Sequence, residues 1–373
     1  MYPKQAPSED LVHQKIARPG HFFHLHRDPD QYSCSRVMML SFILPFLASV
    51  HLVSGVCECG YSIKNPEGEG LMVFADRLET NFSQLDNISQ WDDWQPQLFK
   101  VSAESGRGDY SQAFVPANVI TGGTESQHSD PEGNLELLVG NAVNKDGAIT
   151  ASEIDTSRRD FHWGSFRAGM KLTSTKGTCA AFFWYHNDTQ EIDIEFLSRE
   201  FSHNRGIYPI NLVVQSKKSM EAGYDASKTG TYKRVNLDFD PTDTFHEYRF
   251  DYIPGQVLFY ADSKLLAQMK GDDMPSAGGH LILRHWSNGN PSWSGGPPKE
   301  DATVAINYVR AYFNSTNHER QSYLGKQCRQ SSKTSVCAID ETNDAASIER
   351  LSWALYLGLT MLCVEMGFGM LPV

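Results

Sequence analysis

Short segments of alternating apolar and polar residues fill the chain from Leu71 to Thr316, and Gly, Pro, Asn and Asp residues separate them. Alternation has the period of a β-strand, and no long helical period of 3.6 residues interrupts it. The pattern therefore predicts an all-β fold, a β-sandwich of the jelly-roll type. The predicted strands are 135–139, 163–172, 178–185, 190–197, 210–215, 245–252, 257–261 and 304–313.

The segment 190–197 shows the strictest alternation, because acids at Glu191, Asp193 and Glu195 are separated by branched or aromatic apolar residues. One face of such a strand enters a core, and the other presents three carboxylates in a row. Like charges in this arrangement destabilise a strand. A solvated edge strand is the simpler interpretation of so short a motif alone, whereas the surrounding motifs favour a functional role.

Glycoside hydrolysis is a reaction that needs such a row. A retaining glycosidase uses two carboxyl groups about 5–5.5 Å apart, one as the nucleophile and one as the acid/base. The Cα atoms of Glu191 and Glu195 lie about 13 Å apart along a strand, and inward-leaning side chains on a curved sheet bring the carboxyl groups closer. Asp193 lies between them, where it can hold a proton or a hydrogen bond and separate the two pKa values.

Aromatic and amide residues near this strand are candidates for sugar binding. Trp286 and Trp293 lie in the segment 286–296, which is rich in Gly, Ser and Pro and offers little core, so we expect both to stack on sugar rings. Asn288 either hydrogen-bonds to a sugar hydroxyl or turns the loop. Trp184, in the strand before the acids, is either a sugar platform or, as its apolar strand favours, a core residue.

The chain from about Phe82 to Phe313 resembles glycoside hydrolase family 16, a family of β-glucanases and transglycosidases. The acidic strand, the Trp163-Gly164 step and the segment 286–296 carry this resemblance. It implies a jelly roll of the concanavalin A-like lectin and glucanase type. The start at Cys57-Glu-Cys-Gly-Tyr is similar to the secreted fungal branch of the family.

The resemblance also implies roles for the three acids. Glu191 matches the nucleophile, Asp193 the assisting acid, and Glu195 the general acid/base. The spacing matches the form of the motif found in lichenases and xyloglucan transglycosylases, which lacks an inserted residue. Asn307 stands where calcium-binding members often carry Asp, and no zinc-ligand spacing occurs, so we expect neither a metal nor a cofactor.

Composition restricts the partners. The formal net charge of −12 argues against nucleic acid, because phosphate binding needs clustered Lys and Arg. Aromatic residues make up 11% of the chain and charged residues 21%, which suits a neutral polysaccharide as well as a large β-core. We expect a monomer that acts on β-glucan.

The termini suggest export. Residues 1–36 are polar and irregular, and we interpret them as a disordered extension. Residues 37–56 are apolar and predict a secretory signal, with an uncleaved membrane anchor as the alternative. The catalytic domain spans 57–320, a Cys-containing polar tail follows over 321–350, and the hydrophobic tail 351–373 is either a GPI-anchor signal or a plain apolar terminus. The expected location is outside the cell, at the cell surface or in the cell wall.

Sequons and cysteines fit an extracellular protein. N-glycosylation sequons begin at Asn81, Asn87, Asn187 and Asn314. Cys328 and Cys337 are candidates for a disulfide that closes a small loop, and Cys57 or Cys59 is free to bridge elsewhere. Cys179, on an apolar strand, is expected to be a free buried thiol.

Three functions remain open at this stage. The first is a secreted retaining endo-β-glucanase acting on β-1,3/1,4-linked glucan. The second uses the same site to transfer the glycosyl unit to another glucan of the cell wall. The third is a non-catalytic, lectin-like glucan-binding protein, because a fold does not determine its function. Three crowded carboxylates argue against the third, since a lectin has no need of them.

Overall fold

The computed structural model describes residues 57–66, 68–84, 91–121, 135–330 and 336–339. The strands in these residues are β1 (Tyr61–Lys64), β2 (Leu71–Phe74), β3 (Asp76–Asn81), β4 (Trp94–Pro96), β5 (Phe99–Val101), β6 (Ser111–Phe114), β7 (Val119–Ile120), β8 (Leu135–Val139), β9 (Ala148–Thr156), β10 (Phe161–Lys171), β11 (Cys179–Asn187), β12 (Gln190–Leu197), β13 (Pro209–Gln215), β14 (Tyr232–Asn236), β15 (His246–Ile253), β16 (Gln256–Ala261), β17 (Lys264–Lys270), β18 (His280–Trp286), β19 (Ala302–Ser315) and β20 (Cys337–Ala338). The helices are α1 (Ala103–Gly106), α2 (Lys217–Glu221) and α3 (His318–Gln330).

Two large sheets form a sandwich. Sheet I has the strand order β17-β16-β15-β10-β19-β8-β7, and β3 also pairs with β19. Sheet II has the order β14-β13-β12-β11-β18-β9-β6-β5, and β4 also pairs with β9. A small sheet III consists of β2-β1-β20. Described neighbours run antiparallel except for β1 with β20 and β6 with β9, so the predicted jelly-roll sandwich is confirmed.

The core lies between sheets I and II. Phe182 of β11 packs on Phe250 of β15 with ring centroids 5.2 Å apart, and Phe196 of β12 packs on Tyr248 with centroids 4.7 Å apart. These rings are buried, and each contributes roughly 1.5–3 kcal/mol by leaving water. Packing of this kind determines which face of each strand in sheet II points outward.

Strand predictions based on alternation agree well with the structure. The bounds of β8 and β12 are those predicted, and β11 is buried on both faces from Cys179 to Tyr185, as its apolar sequence predicts. The strand β18 differs from the prediction, because its last residue, Trp286, belongs to the segment 286–296, which is predicted to be a loop. The apolar residues Leu281, Ile282 and Leu283 lie in this strand, and Trp286 pairs with Cys179 of β11 in sheet II.

Two disulfides join the start of the domain to its end. Cys57 bonds to Cys337, and Cys59 bonds to Cys328. The predicted bond between Cys328 and Cys337 is therefore wrong. The reason is topological, since β20 pairs with β1 in parallel and carries Cys337 to the beginning of sheet III, while Cys328 lies on the separate helix α3. Cys179 is free and buried, as predicted.

Several predicted segments lie outside the described residues. These are the extension 1–36, the apolar segment 37–56, the tail 351–373 and most of 321–350. Of the last segment, the structure describes the end of α3 and residues 336–339, which both disulfides attach to the amino-terminal part of the domain. No helix within the described ranges has the length and apolar character needed to cross a bilayer.

The two disulfides should stabilise the domain in a non-additive way. Their half-cystines are separated by one residue at one end and by eight at the other, so either bond alone closes the long loop of about 270–280 residues. Removing one bond opens only a short loop and should lower the free energy of unfolding by about 3 kcal/mol, whereas removing both should cost about 8 kcal/mol. Urea unfolding of both single-pair Ala variants and of the four-Ala variant measures this, and simple additivity would contradict it.

Candidate active site

The three acids of β12 form a row on the face of sheet II that points away from the core. Ile192, Ile194 and Phe196 point into the core, so the alternate positions face outward. Glu191, Asp193 and Glu195 are nevertheless 7%, 2% and 5% exposed. Neighbouring strands and loops therefore cover the row without pairing each carboxylate with a cation.

Strand register defines the surroundings of the row. Glu195 lies opposite Ala181 of β11 and Asn211 of β13, whereas Glu191 lies opposite Tyr185 and Gln215. The small side chain of Ala181 leaves space above β11 on this row.

Arg284 of β18 occupies the space next to Ala181. It is buried, donates a hydrogen bond to Glu153 of β9, and lies 5.0 Å from the ring centroid of Phe114 and 5.4 Å from that of Phe183. Its positive charge favours the ionised forms of Glu191 and Glu195. A buried cation is expected to be paired, and Glu153 supplies that pair.

A second acidic pair, which is not among the predicted site residues, lies on this face. Glu153 and Asp155 of β9 lie on the rows of Arg284 and Ile282 of β18, and Asp155 is 3.3 Å from Nε2 of His280. The signal was available, because Glu153-Ile154-Asp155 has the same acid–apolar alternation as the β12 motif.

Burial raises the pKa of every acid in the β12 row. It raises the pKa of Glu191 to about 7, and a hydrogen bond from Asp193 and the charge of Arg284 oppose the rise. Burial, together with repulsion from the two glutamates, holds the pKa of Asp193 well above its usual range. The protonated form of Asp193 is therefore favoured, and in that form its carboxyl group donates a hydrogen bond to Glu191.

Cys179 is the nearest thiol to the row. Its Sγ lies 3.7 Å from Oε1 of Glu195, and burial raises the pKa of this thiol well above its usual range. The thiol is therefore a protonated, weak hydrogen-bond donor. Burial raises the pKa of Glu195, while contacts with Cys179 and Trp293 oppose that rise.

An open cavity of about 470 Å³ adjoins Glu195. Strands β12, β13 and β14 supply its floor through Glu195, Val213, Gln215 and Tyr232. Residues 223–227 line one side, and Arg107, Asn290, Ser292 and Trp293 line another. Its volume is in the range of small-molecule sites, and it joins a titratable group to aromatic and amide side chains.

Of the four sugar-binding candidates, Trp286 is the one whose expected role the structure contradicts, whereas Trp184 takes the core role that its apolar strand favours. Trp184 is fully buried in the sandwich core and donates its indole N–H to the carbonyl oxygen of Phe161 at 2.9 Å. Trp286 is 2% exposed and packs with Phe114, Cys179 and Leu197. Neither tryptophan has a face left for a sugar. Trp184 packs on Tyr252 in the core with ring centroids 4.9 Å apart, and the β5–β6 region supplies apolar partners of Trp286.

Asn288 has a structural role, which is the alternative considered for it. Its Nδ2 donates to the carbonyl oxygen of Gly106 at 2.7 Å, and its Oδ1 accepts from Ser294 Oγ at 2.8 Å and from the Asn290 amide at 3.0 Å. Every one of these bonds is internal, and the side chain is fully buried. Trp293 differs, because it is half-buried and lines the cavity beside Glu195.

The sequons differ in accessibility. Asn81 and Asn187 are exposed, and Oδ1 of Asn187 accepts from the hydroxyl of Thr189, the last residue of its sequon, at 2.9 Å. Asn314 is half-buried and accepts a hydrogen bond from the amide of Ala75. Asn87 lies outside the described residues. Groups of three or more His, Cys, Asp or Glu side chains placed to hold a metal do not occur in the described part of the chain.

Removing the charge of Glu191 should stabilise the fold increasingly as pH rises. The carboxyl group titrates near 4.3 when unfolded and near 7 when folded, so between these values the native state holds the extra proton and wild-type stability falls with pH. Glu191→Gln has no carboxyl group to titrate at this position, so its unfolding free energy does not fall for this reason as pH rises. We expect its advantage in unfolding free energy to grow by about 1–3 kcal/mol between pH 4.5 and 7.

Urea unfolding of both proteins at pH 4.5, 5.5 and 7 measures the difference directly. A difference that stays constant across this range, or that shrinks with rising pH, would show that Glu191 is not a buried acid with a raised pKa.

Comparison with known proteins places this site in a family. The model of Glycosyl hydrolases family 16 matches residues 117–310, more than half of the chain and including all of β12. The β-glucanase of Paenibacillus polymyxa is 30% identical over 145 residues, which cover 37% of this chain and 54% of that protein. The β-glucanase of Paenibacillus macerans is 30% identical over 171 residues, covering 44% and 64%.

These figures mean that the chain matches only about half to two thirds of the length of these curated relatives. Among solved structures, the Bacillus licheniformis β-glucanase is 18% identical, with a TM-score of 0.45 and with 63% of this chain and 97% of that chain covered. The family match rests on the sequence model, which spans the acid row and both strands that flank it. The chain therefore belongs to glycosyl hydrolases family 16.

Proposed function

We propose that this protein is a retaining endo-β-glucanase that hydrolyses β-1,3/1,4-linked glucan. The observation that carries the proposal is the row of three buried carboxylates on β12, one of which borders an open cavity. Membership of a glycosidase family supports it, as do the matched relatives named β-glucanases. A glucan is uncharged, so the net charge of −12 does not oppose binding.

The reaction proceeds in two displacements. Glu195 donates its proton to the glycosidic oxygen while the carboxylate of Glu191 attacks the anomeric carbon, so the leaving chain departs with the proton. The protonated form of Asp193, which burial favours, donates a hydrogen bond to Glu191 and thereby favours the ionised nucleophile. In the second step Glu195 takes a proton from water, and the resulting hydroxide displaces Glu191 from the sugar.

A second candidate function is transfer of the glycosyl unit to another glucan. The cavity of about 470 Å³ beside Glu195 favours it, because an acceptor sugar must sit next to the acid/base in place of water. The half-buried Trp293 and Tyr232 offer aromatic surfaces for such an acceptor. Mass spectrometry of products formed with isotope-labelled acceptor oligosaccharides separates the two functions, since transfer alone builds labelled chains longer than the acceptor.

We also propose that the protein is exported. Its similarity to the secreted fungal branch of the family remains a prediction. Two disulfides that span the domain favour an oxidising compartment. The exposed sequons at Asn81 and Asn187 are consistent with glycosylation there. Export would bring the site to a cell-wall glucan.

Replacing the nucleophile should abolish turnover. We expect Glu191→Gln to lower kcat on lichenan at least about a thousandfold, because the covalent intermediate cannot form. Glu247→Gln is a matched control, since Glu247 is also buried but lies on β15 of sheet I. The control should keep turnover, and a folded Glu191→Gln protein that still hydrolyses lichenan would refute the assignment.

Azide distinguishes the two glutamates by stereochemistry. With an activated aryl glucoside, azide added to Glu191→Ala attacks from the face the nucleophile has vacated and should give the α-glycosyl azide. Azide added to Glu195→Ala attacks the intact glycosyl-enzyme and should give the β-azide. NMR of the isolated products decides between them, and the reverse pattern would exchange the two roles.

The thiol of Cys179 should lower the pKa of the proposed acid/base, Glu195. Loss of its thiol in Cys179→Ala removes a donor that favours ionised Glu195, so the pKa of Glu195 rises. Because the acid must be protonated in the first step, the basic limb of kcat/KM against pH should move to higher pH. Cys179→Ser keeps a donor and is the control, in which the limb should move less. Identical basic limbs in wild type and Cys179→Ala would exclude this contact.

A further inference from the structure

Two loops from opposite edges of sheet II meet above the acid row. Arg107 follows α1 in the β5–β6 connection, and Tyr224 lies between α2 and β14. The strands β12, β11, β18 and β9 separate β13 from β6 in the sheet. The guanidinium of Arg107 nevertheless lies 5.5 Å from the ring centroid of Tyr224, so the two loops must span the sheet to touch.

The contact lies on the catalytic face. Both Arg107 and Tyr224 line the cavity that Glu195 borders. Both also have left-handed backbones, with φ of 51° and 61°, a conformation that is uncommon for residues other than Gly and that at Arg107 forms the C-cap of α1. The two side chains therefore bound the same cavity as residues of β12, β13 and β14.

Amide side chains next to the acid row hold both loops. On one side, Nδ2 of Asn290 donates to the carbonyl oxygen of Arg107 at 2.8 Å, and Asn288 holds Gly106 in the same way. On the other, Nε2 of Gln215 donates to the carbonyl oxygen of Tyr224 at 3.4 Å. Gln215 lies directly opposite Glu191 on the neighbouring strand, so the loop geometry is tied to the sheet that carries the acids.

We infer that Arg107 and Tyr224 form a specificity-determining strap over the cleft, which admits linear, unsubstituted glucan beside Glu195 and excludes glucan with sugar side branches. This inference rests on the proposed function. A linear chain needs only the cross-section of one sugar ring to pass beneath the strap. A branch that points away from the sheet floor would collide with the Arg107–Tyr224 contact.

The test compares a linear with a branched ligand. Cellotetraose is the linear probe, and a xyloglucan heptasaccharide with the same backbone length is the branched one. The strap is opened by Arg107→Asn, by Tyr224→Asn and by the double variant, because Asn tolerates the left-handed backbone. Tyr224→Phe keeps the aromatic ring and serves as the control.

Binding is measured by calorimetry in the Glu191→Gln background, where turnover does not interfere. We expect each Asn variant to raise the affinity for the heptasaccharide relative to cellotetraose at least tenfold, while Tyr224→Phe keeps the wild-type ratio. The double variant should match the single variants, since either change removes the same contact. An unchanged ratio in the Asn variants, additive effects in the double variant, or no binding of either probe to any variant would overturn the inference.

Hydrolysis rates on lichenan and xyloglucan give an independent readout in the otherwise wild-type enzyme. The ratio of kcat/KM for xyloglucan to that for lichenan should rise at least tenfold when the strap is opened. If Glu191→Gln retains turnover, the proposed catalytic assignment fails, whereas the calorimetric ratios still decide the role of the strap. Circular dichroism of each variant excludes unfolding as the cause of a change.

Discussion

Burial of one face of β12 beneath sheet I is the constraint on which the proposed site depends. Ile192 and Ile194 are fully buried, and Phe196 packs on Tyr248 of the opposite sheet. Because side chains alternate along a strand, these contacts alone turn Glu191, Asp193 and Glu195 outward. A slip of one residue would place three carboxylates in the core, which costs several kcal/mol for each charge. The apolar residues therefore specify the catalytic geometry.

The acid row is itself costly, and the sheet offsets that cost in two ways. Burial and repulsion from the two glutamates favour the protonated form of Asp193, which lowers the negative charge of the row. Arg284 brings a positive charge into the same row across the small residue Ala181. Since Arg284 is itself buried, Glu153 must neutralise it. Charges of alternating sign thus lie on β12, β18 and β9, with the uncharged Ala181 of β11 between the first two. The destabilisation that remains is typical of functional sites, where carboxyl groups have raised pKa values.

Predictions based on the local alternation of residues are confirmed. The predictions for Trp286 and for the disulfide pairing, which depend on segments far apart in the sequence, are not. The strand β12 and its outward acids follow from alternation between neighbours. The burial of Trp286 and Asn288 does not, because their partners come from the β5–β6 region, and the Asn288–Gly106 hydrogen bond joins residues 182 positions apart. The disulfide pairing failed for the same reason. Only the parallel pairing of β20 with β1 shows that Cys337 meets Cys57.

In this domain the acid row lies on a strand, whereas loops carry several of the residues that line the cavity. The groups proposed to do the chemistry lie on β12, between two strands that fix their register. Arg107 and Tyr224, which line the cavity, lie on loops that hydrogen bonds from Asn290 and Gln215 hold in place. Because these amides bond to main-chain carbonyl oxygens, their bonds do not involve the side chains at 107 and 224. The glucan accepted by such a site can therefore change through those two side chains without moving the acids beneath them.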